Sequence, residues 1–178
     1  MSLKEMTSEE IEQFLTCARV GRLGLSSDGS PHIIPLGYAY GDGKIFFHTC
    51  NKGFKMKALR RNPNVCFEVD ESLSDASMYK SVIAFGKAEI IEDGEERVLY
   101  LQRLIDKYRV PQGFDAYMNK PGRDREKEMR AVRICVITPT KITGRKFLRR
   151  GLRSSHGSKR DKNRPGQNED LNIGTSRF

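Results

Sequence analysis

Phe47-His48-Thr49-Cys50-Asn51-Lys52-Gly53-Phe54-Lys55 runs from an apolar strand, through a hydroxyl residue and a glycine-containing loop, into a basic helix. That order places backbone N–H groups, the Thr49 hydroxyl and the Lys55 ammonium around one spot, which suits a phosphate. The same residues also fit a solvated basic helix face, because Lys52, Lys55, Lys57, Arg60 and Arg61 crowd together.

Working upstream, Val20 to Ser26, Pro31 to Tyr40 and Lys44 to Thr49 are short apolar runs. They are joined by Ser27-Asp28-Gly29-Ser30 and Gly41-Asp42-Gly43, turn sequences suited to positive φ, so a three-strand meander is expected. Before them, Thr7 and Glu10 form a capping-box pattern, and Ile11, Phe14, Leu15 and Ala18 recur at helical spacing, predicting a helix over Ser8 to Arg19.

Downstream, Asn51 is expected to cap a short helix in which Phe54, Ala58 and Leu59 share a face and which Asn62-Pro63 stops. Val65, Phe67 and Val69 alternate as a strand, and Ser81 to Ile91 form a longer one. Val98, Leu101, Leu104, Ile105 and Tyr108 mark another amphipathic helix. After a Gly- and Pro-containing connection, Arg130 to Thr138 and Lys141 to Lys146 are expected as closing strands. The fold class is α+β, mainly β: a small antiparallel barrel with a few peripheral helices. A barrel this small is filled by its own side chains, so a sizeable ligand needs a groove or an interface. Tyr38, Tyr40 and Tyr79 are expected in the core.

With 37% apolar and 31% charged residues, the composition suits one domain, placed at 1–150. No run approaches the roughly 18 apolar residues of a membrane span, and no charged-then-apolar leader opens the sequence, so a cytoplasmic location is expected. The net charge of +9 is unevenly spread. From Arg145 onward ten Lys or Arg face three acids, leaving +2 on the body, so nucleic acid is not an expected partner of the fold. Residues 151–178 are basic and poor in apolar side chains, and read as a disordered tail. Cys17, Cys50, Cys66 and Cys135 lack metal or dithiol spacing and are expected as buried thiols; no metal site is expected. His32 and His156 are assigned to the surface.

Between Ile33 and Val65 the sequence resembles the FMN-binding split-barrel family typified by pyridoxamine 5′-phosphate oxidase, in particular its 5-nitroimidazole-reductase-like branch. The resemblance rests on Pro31 to Pro35, Phe47-His48-Thr49, Gly53-Phe54-Lys55, then Leu59, Asn62, Pro63 and Val65, and finally Ser81, Val82, Gly86 and Ala88. It implies a homodimeric split barrel with FMN in the cleft between subunits. By position it makes Ile33, Ile34, Pro35 and Leu36 the strand along the flavin ring, and Thr49 and Lys55 phosphate ligands, with Gly53 and Phe54 between them. Ser81 and Val82 match positions that approach the flavin. His48 stands beside the cofactor, either as a proton donor to the reduced substrate or as a contact only.

The implied activity is FMN-dependent reduction or oxidation of a small molecule such as a nitro compound, with NAD(P)H as an electron donor. A deazaflavin-dependent reductase and a non-catalytic flavin or heme carrier are the rival expectations. Ile33 replaces the arginine that begins the oxidase strand, and Lys141 to Arg150 carry no arginine motif for the vitamin substrate, so vitamin B6 oxidation is not expected. Thr143-Gly144-Arg145 stands where relatives have Thr-Gly-Lys.

Overall fold

The computed structural model describes residues 3–111 and 113–149; the expected tail and the boundary at 150 lie outside the described residues. In chain order the elements are β1 (Lys4–Glu5), α1 (Ser8–Cys17), β2 (Val20–Ser27), β3 (Ser30–Gly37), β4 (Ala39–Gly41), β5 (Lys44–Cys50) and α2 (Phe54–Arg61). There follow β6 (Asn64–Ser72), β7 (Met78–Ile91), α3 (Gly94–Lys107), α4 (Phe114–Met118), α5 (Arg125–Ala131) and β8 (Val132–Leu148). Among the described residues no helix is long and apolar enough to cross a membrane.

Local chemistry accounts for the early elements. The Thr7 hydroxyl accepts from the Glu10 N–H, and the Glu10 carboxylate accepts from the Thr7 N–H, so the capping box starts α1 as expected. Asp28 and Gly29, then Asp42 and Gly43, all have φ between 52° and 79°. Two positive-φ residues form a tight turn whose twist matches the flanking strands. These turns make the β2–β3 and β4–β5 hairpins.

The sheet is antiparallel throughout, in the order β3-β2-β6-β7-β8-β5-β4, with β1 on the C-terminal part of β8. Its two end strands, β3 and β4, are separated in sequence by Tyr38 alone. The sheet therefore curls until its edges meet at Tyr38, yet no ladder joins β3 to β4 among the described residues. The result is a split barrel, not a closed one. Leu23, Phe47, Phe67, Val69, Val82 and Ile137 fill its interior. On the outside, Phe46, Ile134 and Val136 pack under Leu104 of α3. Gly144 admits α1, since a Cβ there would sit 2.6 Å from Ile11 Cγ1.

Several expectations are corrected by packing between distant segments. Pro31 to Tyr40 is broken at Tyr38 into two edge strands. The two closing strands are one, β8, and the expected gap between them is a bulge. Phe85 pairs with Lys141 and Gly86 with Pro139, leaving Thr140 extra. Pro139 lacks an N–H, and a bulge is where a strand tolerates that loss. The connection after α3 contains two short helices, α4 and α5. Phe54 is 47% exposed, and Met56 takes its place in the buried face of α2 beside Ala58 and Leu59. Of the cysteines only Cys135 is buried, while Cys17 and Cys50 are exposed. Tyr38 is fully buried, whereas Tyr79 is 38% exposed.

At the bulge the backbones nearly touch: a Cβ on Gly86 would fall onto the Thr138 carbonyl oxygen and 2.9 Å from Pro139 Cα. Neither neighbour is a flexible side-chain end. Gly86→Ala should therefore lower stability by about 2–3 kcal/mol, the upper range for overpacking. Urea denaturation checks this, and a loss below about 0.5 kcal/mol would show that β8 can move aside.

Candidate functional site

β4 pairs with Lys44 to Phe46, and among the described residues no strand ladder continues along the rest of β5 on that side. On the opposite side of the split, β3 pairs only with β2, leaving its outer edge open among the described residues. α2 follows β5 after three residues and spans this gap. The His32 ring of β3 meets the Phe54 ring of α2 edge-on at 4.5 Å, so His32 is tied to the helix rather than free on the surface. Arg61 reaches Asp28 at 3.2 Å, and Arg60 reaches Glu92 at 3.2 Å.

Asn51 does not cap α2. Its N–H donates to the Ala131 carbonyl and its Nδ2 to the Arg130 carbonyl, both at 2.7 Å, pinning the loop to the start of β8. The cap is Gly53, with φ 101° and ψ 178°, a conformation open essentially to glycine alone. No side chain caps the first turn, so its N–H groups face outward.

Lys55 lies half-buried on that turn with its ammonium 5.4 Å from the centre of the Phe47 ring. No carboxylate pairs with it among the described residues, and loss of hydration lowers its pKa from the usual lysine value. Thr49 is only 8% exposed, yet its hydroxyl bonds to no described residue. No fully buried side-chain polar atom lacks a partner, so this hydroxyl opens onto solvent. A desolvated cation and an open hydroxyl, beside uncapped N–H groups, suit an anion.

A family model described as pyridoxamine 5′-phosphate oxidase matches residues 7–146. The chain belongs to that family. An FAD-binding protein of Mesorhizobium loti superposes with a TM-score of 0.63 at 25% identity, covering 82% of this chain and 99% of that one. A proposed 5-nitroimidazole antibiotic resistance protein of Bacteroides thetaiotaomicron gives a TM-score of 0.64 at 22% identity, over 82% of this chain and 89% of that one. An uncharacterized protein of Rhizobium meliloti is 28% identical over 87 residues, 49% of this chain; the match spans 56% of that relative's length.

Within this pyridoxamine 5′-phosphate oxidase fold, the residues singled out in the sequence fall into two groups. Thr49, Gly53, Phe54 and Lys55 gather at the mouth of the split, His48 lies next to Thr49 on the other face of β5, and Ile33 to Leu36 lie on the open edge strand. Ile34 and Leu36 turn toward the core, while Ile33 is 71% exposed and Pro35 faces outward. Ser81 and Val82 are elsewhere. Thr49 pairs with Arg133 and Ser81 with Arg145, a separation of twelve residues on β8, or about 40 Å of extended strand. The Val82 side chain is wholly buried, and Ser81 lies near Glu68, 3.4 Å from its carboxylate.

Arg133 was not legible as a site residue. It sits opposite Thr49 and donates to Glu92 at 2.8 Å, and Glu92 also holds Arg60, so the three buttress α2 against the mouth. Its strand parity gives the face, but only the β5–β8 pairing brings it to Thr49.

His48 lies opposite Ile134, and its pKa is lowered from about 6.5, first by desolvation and then by the Lys55 charge. Between that lowered value and about 6.5 the unfolded chain binds more protons, so stability falls as pH drops through this window. NMR titration should place the His48 midpoint below 6.5. In Lys55→Gln the midpoint should rise but stay short of the ordinary value, since the larger cause remains. No movement would remove Lys55 from the histidine's surroundings.

Proposed function

We propose that this protein is a homodimeric FMN-dependent oxidoreductase, moving electrons between a nicotinamide-type donor and a small acceptor such as a nitro compound. The observation that carries this reading is Lys55, a half-buried ammonium with no acidic partner among the described residues, set beside the Thr49 hydroxyl. Lys55, Thr49 and the first-turn N–H groups of α2 would hold the terminal phosphate. The unpaired edge of β3 carries Pro31 and Pro35, which lack an N–H, so it would orient a flat heterocycle through its C=O groups and its remaining N–H groups. When bound, the flavin supplies the hydride chemistry. His48, largely neutral at pH 7, is assigned a hydrogen-bonding contact rather than the role of a standing general acid.

Dimerisation is supported by the outer face of the sheet. Ile33, Gly24, Cys66 and Phe85 form one cross-strand row, in which Ile33 is 71% and Phe85 44% exposed. Burial of this face against a second copy would remove apolar surface from water. It would also explain how Ser81, distant from Thr49 in its own chain, approaches a flavin: it would do so from the partner.

FAD is the second reading. A groove of about 680 Å³ runs along α2 from Gly53 past Lys57 to Arg60, next to but not lined by Lys55, and offers cations for a further phosphate. The Mesorhizobium loti relative is itself named as FAD-binding.

Mass spectrometry of the small molecule that copurifies should find FMN, and finding FAD would favour the longer groove. Lys55→Ala should weaken FMN binding roughly ten- to hundredfold by fluorescence titration, the loss expected for one charge-assisted phosphate contact. Unchanged affinity would move the phosphate elsewhere. Light scattering should give a dimer, and a monomer that still binds FMN tightly would refute the shared cleft.

A further inference from the structure

A second pocket, about 500 Å³, opens between the end of α1, β4 and α3. Its floor is Ala39, Tyr40 and Phe46, and Arg19, Arg103, Lys107 and Arg109 converge on its wall. Phe46 and Phe47 point to opposite faces of β5, so this pocket and Lys55 lie on opposite faces of the sheet. One small ligand cannot occupy both.

Helix ends explain two of the four cations. Lys107 donates to the Ala18 carbonyl at 2.6 Å, and Arg19 to the Tyr108 carbonyl at 3.2 Å, so each stabilises the C-terminal end of a helix. The other two are not explained this way. Arg103 sits 5.0 Å from the Phe46 ring centre and meets Asp42 at 2.8 Å, an acid on a hairpin tip with 78% of its side chain exposed. The Arg109 side chain makes no hydrogen bond or ion pair among the described residues.

The backbone of Arg109 sharpens the point. It follows the C-cap of α3 with φ 53°, its N–H bonded to the Asp106 carbonyl, at a position where helices ordinarily place glycine. Arginine there carries a conformational cost, and its side chain makes no hydrogen bond or ion pair among the described residues to offset it. Nearby, burial pushes the Lys107 pKa down to about 8, with the Arg19 charge acting in the same direction. The fold thus gathers four cations around a cavity of small-molecule size, with no acid in its lining and Asp42 bonded to Arg103 from the hairpin tip, among the described residues.

We propose that this pocket is a second, separate anion site that binds a small phosphorylated molecule through its phosphoryl group, with Arg103 and Arg109 as the principal ligands. A phosphomonoester dianion matches the charge, and guanidinium forks match its oxygens. The aromatic floor suits a small organic group on the ester.

The test is an NMR titration of the full chain with phenyl phosphate at constant ionic strength, in wild type and in Lys55→Ala, which silences the strand-end site. Saturable amide shifts are expected at Ala18–Val20, Ala39–Gly41 and Arg103–Val110 in both proteins. Arg109→Gly should weaken that binding by about tenfold, the loss of one charge-assisted contact. The same change relieves the left-handed backbone, so its thermal midpoint should hold or rise, separating lost binding from lost folding. Arg103→Gln should also weaken binding. The proposal fails if no saturable shifts appear there, if Lys55→Ala abolishes them, or if Arg109→Gly binds as wild type does. It fails equally if a generic oligonucleotide binds the patch more tightly than phenyl phosphate, which would make it a nucleic-acid surface.

Discussion

Tyr38 holds the fold shut at one end. It is the single residue between the two edge strands of the sheet, and it is completely buried. Its hydroxyl donates to the Leu15 carbonyl at 2.7 Å, its N–H donates to the Tyr108 hydroxyl at 2.8 Å, and its ring meets Phe67 edge-on at 4.9 Å. One residue, through its side chain and its N–H, thereby ties α1, the end of α3 and the barrel interior to the point where β3 becomes β4. A buried hydroxyl and amide without partners would each be costly, so the strands must approach here together with both helices. At the other end nothing equivalent joins the edges among the described residues. The sheet stays open there, α2 fills the gap, and the Lys55 mouth is the consequence of a barrel closed at one end only.

What could be read in the sequence follows the range of the interactions involved. Thr7 and Glu10 lie three residues apart, and the two Asp-Gly turns are set by adjacent backbone angles, so these features were legible. The phosphate-like arrangement of Thr49, Gly53 and Lys55 is similarly local, carried by a strand, a turn and one helical turn. Asn51 is the instructive failure. Its side chain has ordinary capping chemistry, but Arg130 and Ala131, about eighty residues away, offer carbonyls that compete successfully. The bulge at Pro139 was visible only as an interruption, because the strand opposite decides whether a proline ends a strand or is bypassed. Arg133 beside Thr49, and the cation pocket beneath α3, require pairings that no local pattern encodes.

β5 shows how one strand can serve two chemistries. Alternation sends Phe47 and Thr49 to one face and Phe46 and His48 to the other. The first pair meets the Lys55 mouth. The second face runs from the floor of the arginine pocket to the histidine. A one-residue slip of β5 against β8 would exchange both sets at once, so the thirteen-residue run from Ile45 to Lys57 tolerates little change of register. Asn51 anchors that register at its end by bonding to the chain that starts β8.

Lys55 and its surroundings also obey reciprocity. Desolvation lowers its pKa in the isolated chain, which means the fold works against the charged form. Any anion that binds there favours the charged form and must raise that pKa, and by linkage the affinity for the anion rises with protonation of the lysine. His48 feels the same charge from its neighbouring position, so an anion on Lys55 would cancel the part of its pKa lowering that Lys55 causes and leave the part due to desolvation. Anion binding at Lys55 and the protonation of His48 are thus coupled through one ammonium group. On the proposed reading, the phosphate that anchors the flavin also sets how readily the histidine beside it carries a proton.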